Sequence, residues 1–281
     1  MASLVRFQDL LRGYGVDPGS FSAGEFRGSN RNLFAKVTAQ LGVNSRLAIS
    51  HNYGHGNAQD ETGARDYGLY SLSSSGTENP ETINATRLAW IAAFGNRFFN
   101  KFIVARIDDQ RTCNPNSHFP AVDAWEDGEL FAGTAAACLG LETGHTTWEI
   151  TDNFGIAAGN HQLTFGTHAE RIDLVDDVLQ YPGGLWFFNS LDSLERGEAA
   201  SYVRDFPAAA DSQVAFRVNQ IGGYAQDQWM PARGLTLTLG LRFDVPYLPT
   251  PPTQNATALN QLGINTALTP SGNVLWSPGL A

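Results

Sequence analysis

Few residues of this sequence are of types that do chemistry, and their surroundings favour structural roles. His51 and His55 stand four residues apart, the spacing at which a helix brings two metal ligands to one side. They follow a strand-like segment, however, where this spacing has no such effect. Ser190, Asp192 and Glu195 supply a hydroxyl and two carboxylates, without a histidine nearby in sequence or a Gly-x-Ser-x-Gly turn. The sequence therefore predicts no catalytic residue, no metal site and no cofactor.

The two cysteines, Cys113 and Cys138, fall within one long connecting segment. Metal binding and redox chemistry are the functional alternatives for such a pair. A disulfide that closes a loop in an oxidising compartment is the structural alternative, and it is the favoured interpretation. Loop entropy would give such a bridge about 3 kcal/mol of stabilisation.

Aromatic and acidic residues gather in the long segments between the predicted strands. Aromatic side chains often anchor binding sites, so four of them are candidates for binding a solute: Trp125, Trp186, Phe187 and Phe188. Packing of one loop against another is the favoured interpretation of these residues. Two acidic clusters offer carboxylate oxygens to Ca²⁺, namely Asp123, Glu126, Asp127 and Glu129, and Asp173, Asp176 and Asp177. Neither has the spacing of an EF-hand loop, so solvated acidic loops are the favoured interpretation.

The overall composition narrows the class of protein. The chain has 281 residues, of which 16% are charged and 42% hydrophobic, with a mean hydropathy of −0.21 and 29 glycines. The net charge of −10 argues against a nucleic-acid partner, because neutralising phosphates needs a basic surface. No stretch of eighteen apolar residues is present to form a membrane-spanning helix. These features favour a β-rich protein, a class that includes outer-membrane barrels.

Apolar and polar residues alternate with period two along most of the chain, which predicts eight strands. The clearest case is the segment 234–244, GLTLTLGLRFD. Most predicted strands have nine to twelve residues, about the length that a tilted strand needs to cross the hydrocarbon layer. They pair into hairpins predicted near residues 32–53, 86–111, 147–172 and 214–244.

Short and long connections alternate between these strands. Turns of three to five residues alternate with long segments at 54–85, 112–146 and 173–213. The long segments hold eighteen acids and three bases, whereas the rest of the chain holds ten acids and fifteen bases. This layout is typical of a transmembrane barrel with short periplasmic turns and long extracellular loops. Strand cations are then expected in the lumen, because arginine on the lipid face costs about 2–4 kcal/mol; the candidates are Lys36, Arg46, Arg106, Arg217 and Arg242.

The hairpin GGYAQDQWMPARGLTLTLGLRFD (222–244) resembles a strand–turn–strand unit of TonB-dependent outer-membrane receptors. Four further segments look like the Oar-like branch, whose members carry a carboxypeptidase-regulatory-like domain: RNLFAKVTAQLGVNSRLAISHNYG (31–54), TDNFGIAAGNHQLTFGTHAE (151–170), GLWFFNSLDSLERG (184–197) and INTALTPSGNVLWSPGLA (264–281). The sequence lacks a TonB box, a plug domain and a terminal strand ending in an aromatic residue. We therefore expect residues 1–281 to be an interior piece of a longer protein.

The resemblance implies an all-β fold, in which the chain supplies about eight to ten antiparallel strands of a barrel with about twenty-two. It implies location in the outer membrane and energised passage of a large solute. The implied partners are outer-membrane lipid, the protein's own plug domain and a TonB-type inner-membrane energiser, with no nucleic acid. The alternative is a soluble, secreted β-rich adhesin or carbohydrate-binding module that uses its loops as the binding surface.

Overall fold

The computed structural model of the chain describes residues 2–21, 26–60, 64–65, 69–134, 138, 142–177, 181, 183–205, 213–249 and 260–261. Strands dominate the described residues. In chain order the elements are α1 (Ala2–Gly13), β1 (Phe26–Gln40), β2 (Ser45–Asp60), β3 (Ala64–Arg65), β4 (Leu69–Ser71), a 3₁₀ turn (Ser73–Ser75), β5 (Thr77–Phe94), β6 (Phe98–Thr112), β7 (Asn114–Pro115), β8 (Ala121–Trp125), β9 (Glu129–Ala132), β10 (Glu142–Ala158), β11 (His161–Asp177), β12 (Leu185–Phe188), α2 (Leu191–Glu195), β13 (Ser201–Val203), β14 (Gln213–Ala232) and β15 (Leu235–Tyr247).

Eight long strands form one antiparallel sheet in the order β1-β2-β5-β6-β10-β11-β14-β15, with the short strand β7 added beside β5. The predicted hairpins are all present, but the strands run for 13 to 20 residues and are longer than predicted. The loop ends of β2 and β5, for example, pair from Gly54 opposite Ile83 to Asp60 opposite Thr77. These ends lack apolar alternation, because backbone pairing requires no apolar side chains. Alternation marks only the part of each strand that has one apolar face.

Short turns join the strands of each hairpin. β10 and β11 are connected by Gly159 and Asn160, and β14 and β15 by Arg233 and Gly234. Both glycines have positive φ, at 62° and 81°, as tight turns between twisted strands require. The hairpin connections thus lie where the sequence predicts them, within one to three residues.

One face of the sheet carries a continuous apolar row across all eight strands. Each member lies opposite the next in the register of the ladder: Val37, Ile49, Leu88, Val104, Ile150, Ala169, Ile221 and Val245. Large members of this face are solvent-exposed, with Val37 at 67% and Ile221 at 66%. An exposed apolar surface of this extent needs an apolar medium to cover it. We call it the apolar face.

The adjacent residues form rows on the opposite face, which we call the polar face. One such row consists of Thr38, Ala48, Ala89, Ile103, Thr151, His168, Gly222 and Asp244. Tyr224 also belongs to this face, where its hydroxyl donates to Asn153 Oδ1 over 2.8 Å.

The register corrects two of the five lumen predictions. Lys36, Arg46 and Arg242 lie on the polar face, whereas Arg106 and Arg217 lie on the same face as the apolar row. In β6, Ile103 and Ile107 alternate with Arg106, so the pattern predicts that the two isoleucines face lipid and that Arg106 faces the lumen. The cross-strand neighbours of the isoleucines show instead that they lie on the polar face. Arg106 lies two residues from Val104 along β6, in the direction of the loops. The cross-strand row that contains Arg106 is largely polar.

The three long connections fold together into a second sheet, which the alternation pattern does not predict. Its order is β13-β12-β8-β9-β4-β3, and the pairs β12–β8 and β4–β9 are parallel. Helices α1 and α2 pack on this loop sheet around a shared apolar core whose buried members are Leu4, Phe7, Leu11, Leu72, Val122, Ala124, Leu130, Ala132, Phe188, Leu191 and Leu194. Within the described parts of the chain, no helix is long and apolar enough to cross a membrane.

A disulfide joins Cys113 and Cys138, with the two Cα atoms 5.1 Å apart. Cys113 directly follows β6, so the bridge ties the segment that contains β8 and β9 to the end of a long strand. The bridge therefore limits how far this segment can move from the main sheet.

Peptide mapping of the purified full-length protein checks the bridge. Under non-reducing conditions, the peptides that contain Cys113 and Cys138 should be recovered as one linked species by mass spectrometry. Recovery of both as free thiols that an alkylating reagent modifies before reduction would contradict the pairing.

The two faces of β14 offer a test of the sheet's orientation in lipid. Ile221→Arg places a guanidinium in the apolar row, so it should lower the free energy of unfolding by about 2–4 kcal/mol. Gln220→Arg, one residue away, places the same group on the polar face opposite Glu170 and should cost little. Urea titration of the full-length protein in phospholipid vesicles measures both, and equal losses would mean that the faces are assigned wrongly.

Candidate functional site

An apolar cavity of about 280 Å³ lies where α1, β8, β12 and α2 meet. We call it the loop pocket. Its lining is almost entirely apolar: Leu11, Tyr14, Val16, Phe119, Pro120, Val122, Trp186, Phe188, Leu194 and Gly197. A cavity of this size holds one aromatic or branched aliphatic group, at the lower end of the range for small-molecule sites.

Two of the four predicted aromatic binding residues line the loop pocket. Trp186 remains 39% exposed and packs on Tyr202, with ring centroids 4.2 Å apart. Phe188 is buried at 7% exposure and joins the core, while Phe187 alternates to the other side of β12. Trp125, at 51% exposure, lies at the end of β8 opposite Glu129 and outside the pocket. The structure therefore shows the packing role for Phe188, places Trp186 in a cavity wall, and leaves solute binding by these residues a prediction.

Polar contacts fix the two helices that border the loop pocket. The Tyr14 hydroxyl donates to the Leu194 carbonyl over 2.7 Å. Arg6 of α1 reaches Asp192 and Glu195 of α2, both at 2.6 Å, and its hydrogen bond holds the pKa of Asp192 below its ordinary value. These ion pairs are exposed and contribute little stability on their own, but they set the distance between the helices.

The hydroxyl and carboxylates around α2 have structural contacts. Ser190 is the N-cap residue, and its side chain accepts a hydrogen bond from the Ser193 amide in a reciprocal capping arrangement. Glu126, from the turn between β8 and β9, accepts from the Leu191 amide over 3.2 Å. One member of the first acidic cluster therefore satisfies one of the free N–H groups at the start of α2.

Asp123 and Glu129 form a carboxyl pair within the β8–β9 hairpin. Burial is the main cause that raises the pKa of Asp123 to about 7, and the hydrogen bond with Glu129 and repulsion from its carboxylate contribute to the same rise. The other carboxyl oxygen of Asp123 is buried with no described partner. Over the residues that the structure describes, no group of three or more His, Cys, Asp and Glu side chains is placed to hold a metal ion. Since a hydrogen bond between two carboxyl groups needs one of them to be protonated, the contact between Asp123 and Glu129 is suited to sharing a proton.

The histidines singled out by their spacing lie along β2 and contact threonines of β5. His51 Nδ1 is 2.9 Å from Thr86 Oγ1, and His55 Nδ1 is 3.0 Å from Thr82 Oγ1. Because each ring has its own cross-strand partner, the two histidines do not converge on one point.

The strand cations differ in their partners. Arg242 is paired with Asp244 at 2.6 Å on the polar face. Arg106 pairs with Asp108 at 2.9 Å, and Arg217 pairs with Asp173 at 2.6 Å, both at the loop end of the apolar face. Lys36 and Arg46 instead border a cavity of about 470 Å³ on the polar face, together with Arg87 and Lys101, which the sequence did not single out.

Comparison with known proteins decides the family. The family model described as "Outer membrane beta barrel domain" matches residues 25–278 of the chain. The chain belongs to this family. The outer-membrane location predicted from the sequence is thereby confirmed. A comparison with curated protein sequences found no significant match.

The fold of this outer-membrane barrel domain is similar to that of the outer membrane transporter YddB from Escherichia coli, whose crystal structure is known. The two share 13% sequence identity with a TM-score of 0.52. The match covers 79% of this chain but only 28% of the transporter chain. At this identity the likeness concerns the fold alone.

Membership in the family gives the two faces of the main sheet their surroundings. In outer-membrane barrels, the outward face carries the apolar band and the inward face is polar. The apolar row of this barrel domain is therefore the lipid-contacting surface. Lys36, Arg46 and Arg242 belong to the inward face, while Arg106 and Arg217 lie outward near the loop end of the strands.

The carboxyl pair predicts a pH dependence of the loop sheet. The pKa of Asp123 is about 7 in the folded protein against an ordinary value of 3.8, so the folded form holds the proton more tightly. The free energy of unfolding should thus fall as the pH rises from about 4 to about 7 and then stay level. Asp123→Asn should remove this slope and stabilise the loop sheet by about 2 kcal/mol at pH 8.

Limited proteolysis of the β8–β9 hairpin across this pH range measures the effect. Asp127→Asn is the matched control, because Asp127 is exposed in the same hairpin and has φ of 52°, which asparagine tolerates. A wild-type cleavage rate that does not change between pH 4 and pH 8 would count against the shared proton.

Proposed function

We propose that this chain forms part of the wall of an outer-membrane barrel through which a large solute passes, energised by a TonB-type inner-membrane partner. The observation that carries the proposal is the polar inward face across eight strands. The proposal takes these eight strands as one stretch of a barrel of about twenty-two, because a closed barrel of eight strands would be filled by its own side chains. The resemblance of the hairpins to TonB-dependent receptors supports an energised mechanism.

Energised passage needs further machinery besides this stretch of wall. We propose a plug domain that fills the lumen and is displaced when the inner-membrane partner acts on it. The short turns would face the periplasm and the loop sheet the outside, as is usual for such barrels. The proposal contains no catalytic step.

The loop pocket provides the first contact for the solute. Its lining is apolar and its volume of about 280 Å³ matches one apolar group, so it would hold the apolar part of a larger molecule. Trp186 borders this cavity and is partly exposed, which makes it the residue that a solute meets on entering.

The soluble, secreted alternative is not retained, because the chain belongs to an outer-membrane family. In our proposal the loops also bind the solute, but they do so at the entrance of the barrel.

Solute depletion tests the proposal. Cells that express the full-length protein are grown in a complex medium, and mass spectrometry identifies the solutes they remove. Trp186→Ala should lower the initial rate of removal about tenfold, as expected for truncation of a central aromatic contact. Trp125→Ala changes a tryptophan that is more exposed and lies outside the pocket, and it should have little effect.

Removal should also stop when a protonophore collapses the inner-membrane gradient. Three results would contradict the proposal: no solute whose removal depends on the protein, removal that survives the protonophore, or equal losses in the two tryptophan variants. Heat-modifiability on SDS gels confirms that each variant is folded.

A further inference from the structure

Four cations surround one concavity on the polar face, away from the loop sheet. Arg46 and Lys101 lie opposite Ile91 from its two neighbouring strands. With strands about 4.8 Å apart, their Cα atoms are about 10 Å from each other. The four residues Lys36, Arg46, Arg87 and Lys101 all line the same cavity of about 470 Å³, and we call them the cation patch.

The second pair of the cation patch is arranged in the same way. Lys36 and Arg87 lie opposite Ser50 from its two sides. Ser50 is four residues along β2 from Arg46, or about 13 Å along the strand. The four cations therefore stand at the corners of a parallelogram. Each row holds two cations about 10 Å apart, and the two rows are about 13 Å apart and offset by one strand.

No acid lines this cavity among the described residues. This separates the cation patch from the other arginines of the sheet, since Arg242, Arg106 and Arg217 each pair with an aspartate. Like charges that surround one cavity repel one another. Four cations around a cavity whose lining holds no acid are therefore a charge arrangement that an anion would stabilise.

The floor between the cations suits a bound oxyanion. Ala48 and Ala89 leave space at the centre, and Thr38 and Ser50 supply hydroxyl donors. Guanidinium and ammonium groups make strong charge-assisted hydrogen bonds to phosphate and carboxylate oxygens. The cavity is also within the size range of small-molecule sites, rather than a flat surface.

We propose that the cation patch is an oxyanion-binding site on the lumen wall, which takes the phosphate or carboxylate groups of an anionic solute. The proposal relies on the polar face as the wall of the passage but not on energised transport. Binding is therefore measured without transport, so the failure of one proposal is distinguishable from the failure of the other.

Inorganic tripolyphosphate serves as the probe, with calorimetric titration of the purified full-length protein in detergent micelles. The wild type should bind it saturably, and the affinity should fall as NaCl is added because the contacts are charged and solvent-accessible. The double variant Arg87→Gln/Lys101→Gln should bind at least about tenfold more weakly, since it loses two charge-assisted contacts. The matched control Arg242→Gln removes a cation of the same face that already has an acidic partner, and it should leave the affinity within about twofold.

Lysine modification supplies a second measurement that needs no variant. Lys36 and Lys101 are the two lysines of this chain, and both belong to the cation patch. Tripolyphosphate should slow the acetylation of both by an amine-reactive ester, followed by mass spectrometry of the peptides that contain them. As the control, NaCl at the same ionic strength, in a buffer without sulfate or phosphate, should slow the acetylation of the two lysines less than tripolyphosphate does.

Two outcomes would overturn the proposal. One is the absence of saturable tripolyphosphate binding by the wild type, as expected if an acidic segment of the protein itself, such as a plug surface, covers the cation patch. The other is an equal loss of affinity in Arg242→Gln, which would show that the probe responds to overall charge and not to this site.

Discussion

The structure depends on one constraint: inside a bilayer, every backbone N–H and C=O must be paired within the protein. An uninterrupted antiparallel ladder meets this requirement with the shortest connections, so each long strand pairs with its successor. The ladder then fixes the register, and the register fixes which side chains share a face. The continuous apolar row from Val37 to Val245 follows from these two steps. Lipid contact and lumen chemistry are thus set by the same hydrogen bonds.

Beyond the bilayer the constraint is relaxed, and the chain folds by different rules. The long connections pair in parallel as well as antiparallel fashion and bury an apolar core of their own. Strands that are longer than the membrane requires carry the loop sheet away from the lipid. Arg106 and Arg217 can face outward at this height, because water and the carboxylates of Asp108 and Asp173 are available to them.

The parts of the fold that alternation reveals were predictable, and the parts that depend on contacts between distant segments were not. Period two located the eight long strands and their turns, since each strand has one apolar face. It could not place Arg106, because Ile103 and Ile107 of the polar face are themselves apolar and only the register of β5 and β10 separates the faces. The loop sheet joins segments more than fifty residues apart, for which local patterns hold no signal. Helix α1 could have been found, because Leu4, Phe7 and Leu11 repeat with helical spacing.

The placement of charge along the wall bears on which solutes could pass. The three segments 54–85, 112–146 and 173–213, at the loop end, hold eighteen of the 28 acids. The cation patch stands on the polar face toward the short turns, where Arg46 is the second residue of β2. An anion approaching from the loop end would be repelled before it met the cations. An apolar pocket at that end offers attraction that does not depend on the sign of the charge, since burial of apolar surface is non-directional. A solute held first by an apolar group and then by an anionic group would satisfy both sites, so the two proposals together describe an amphipathic anion.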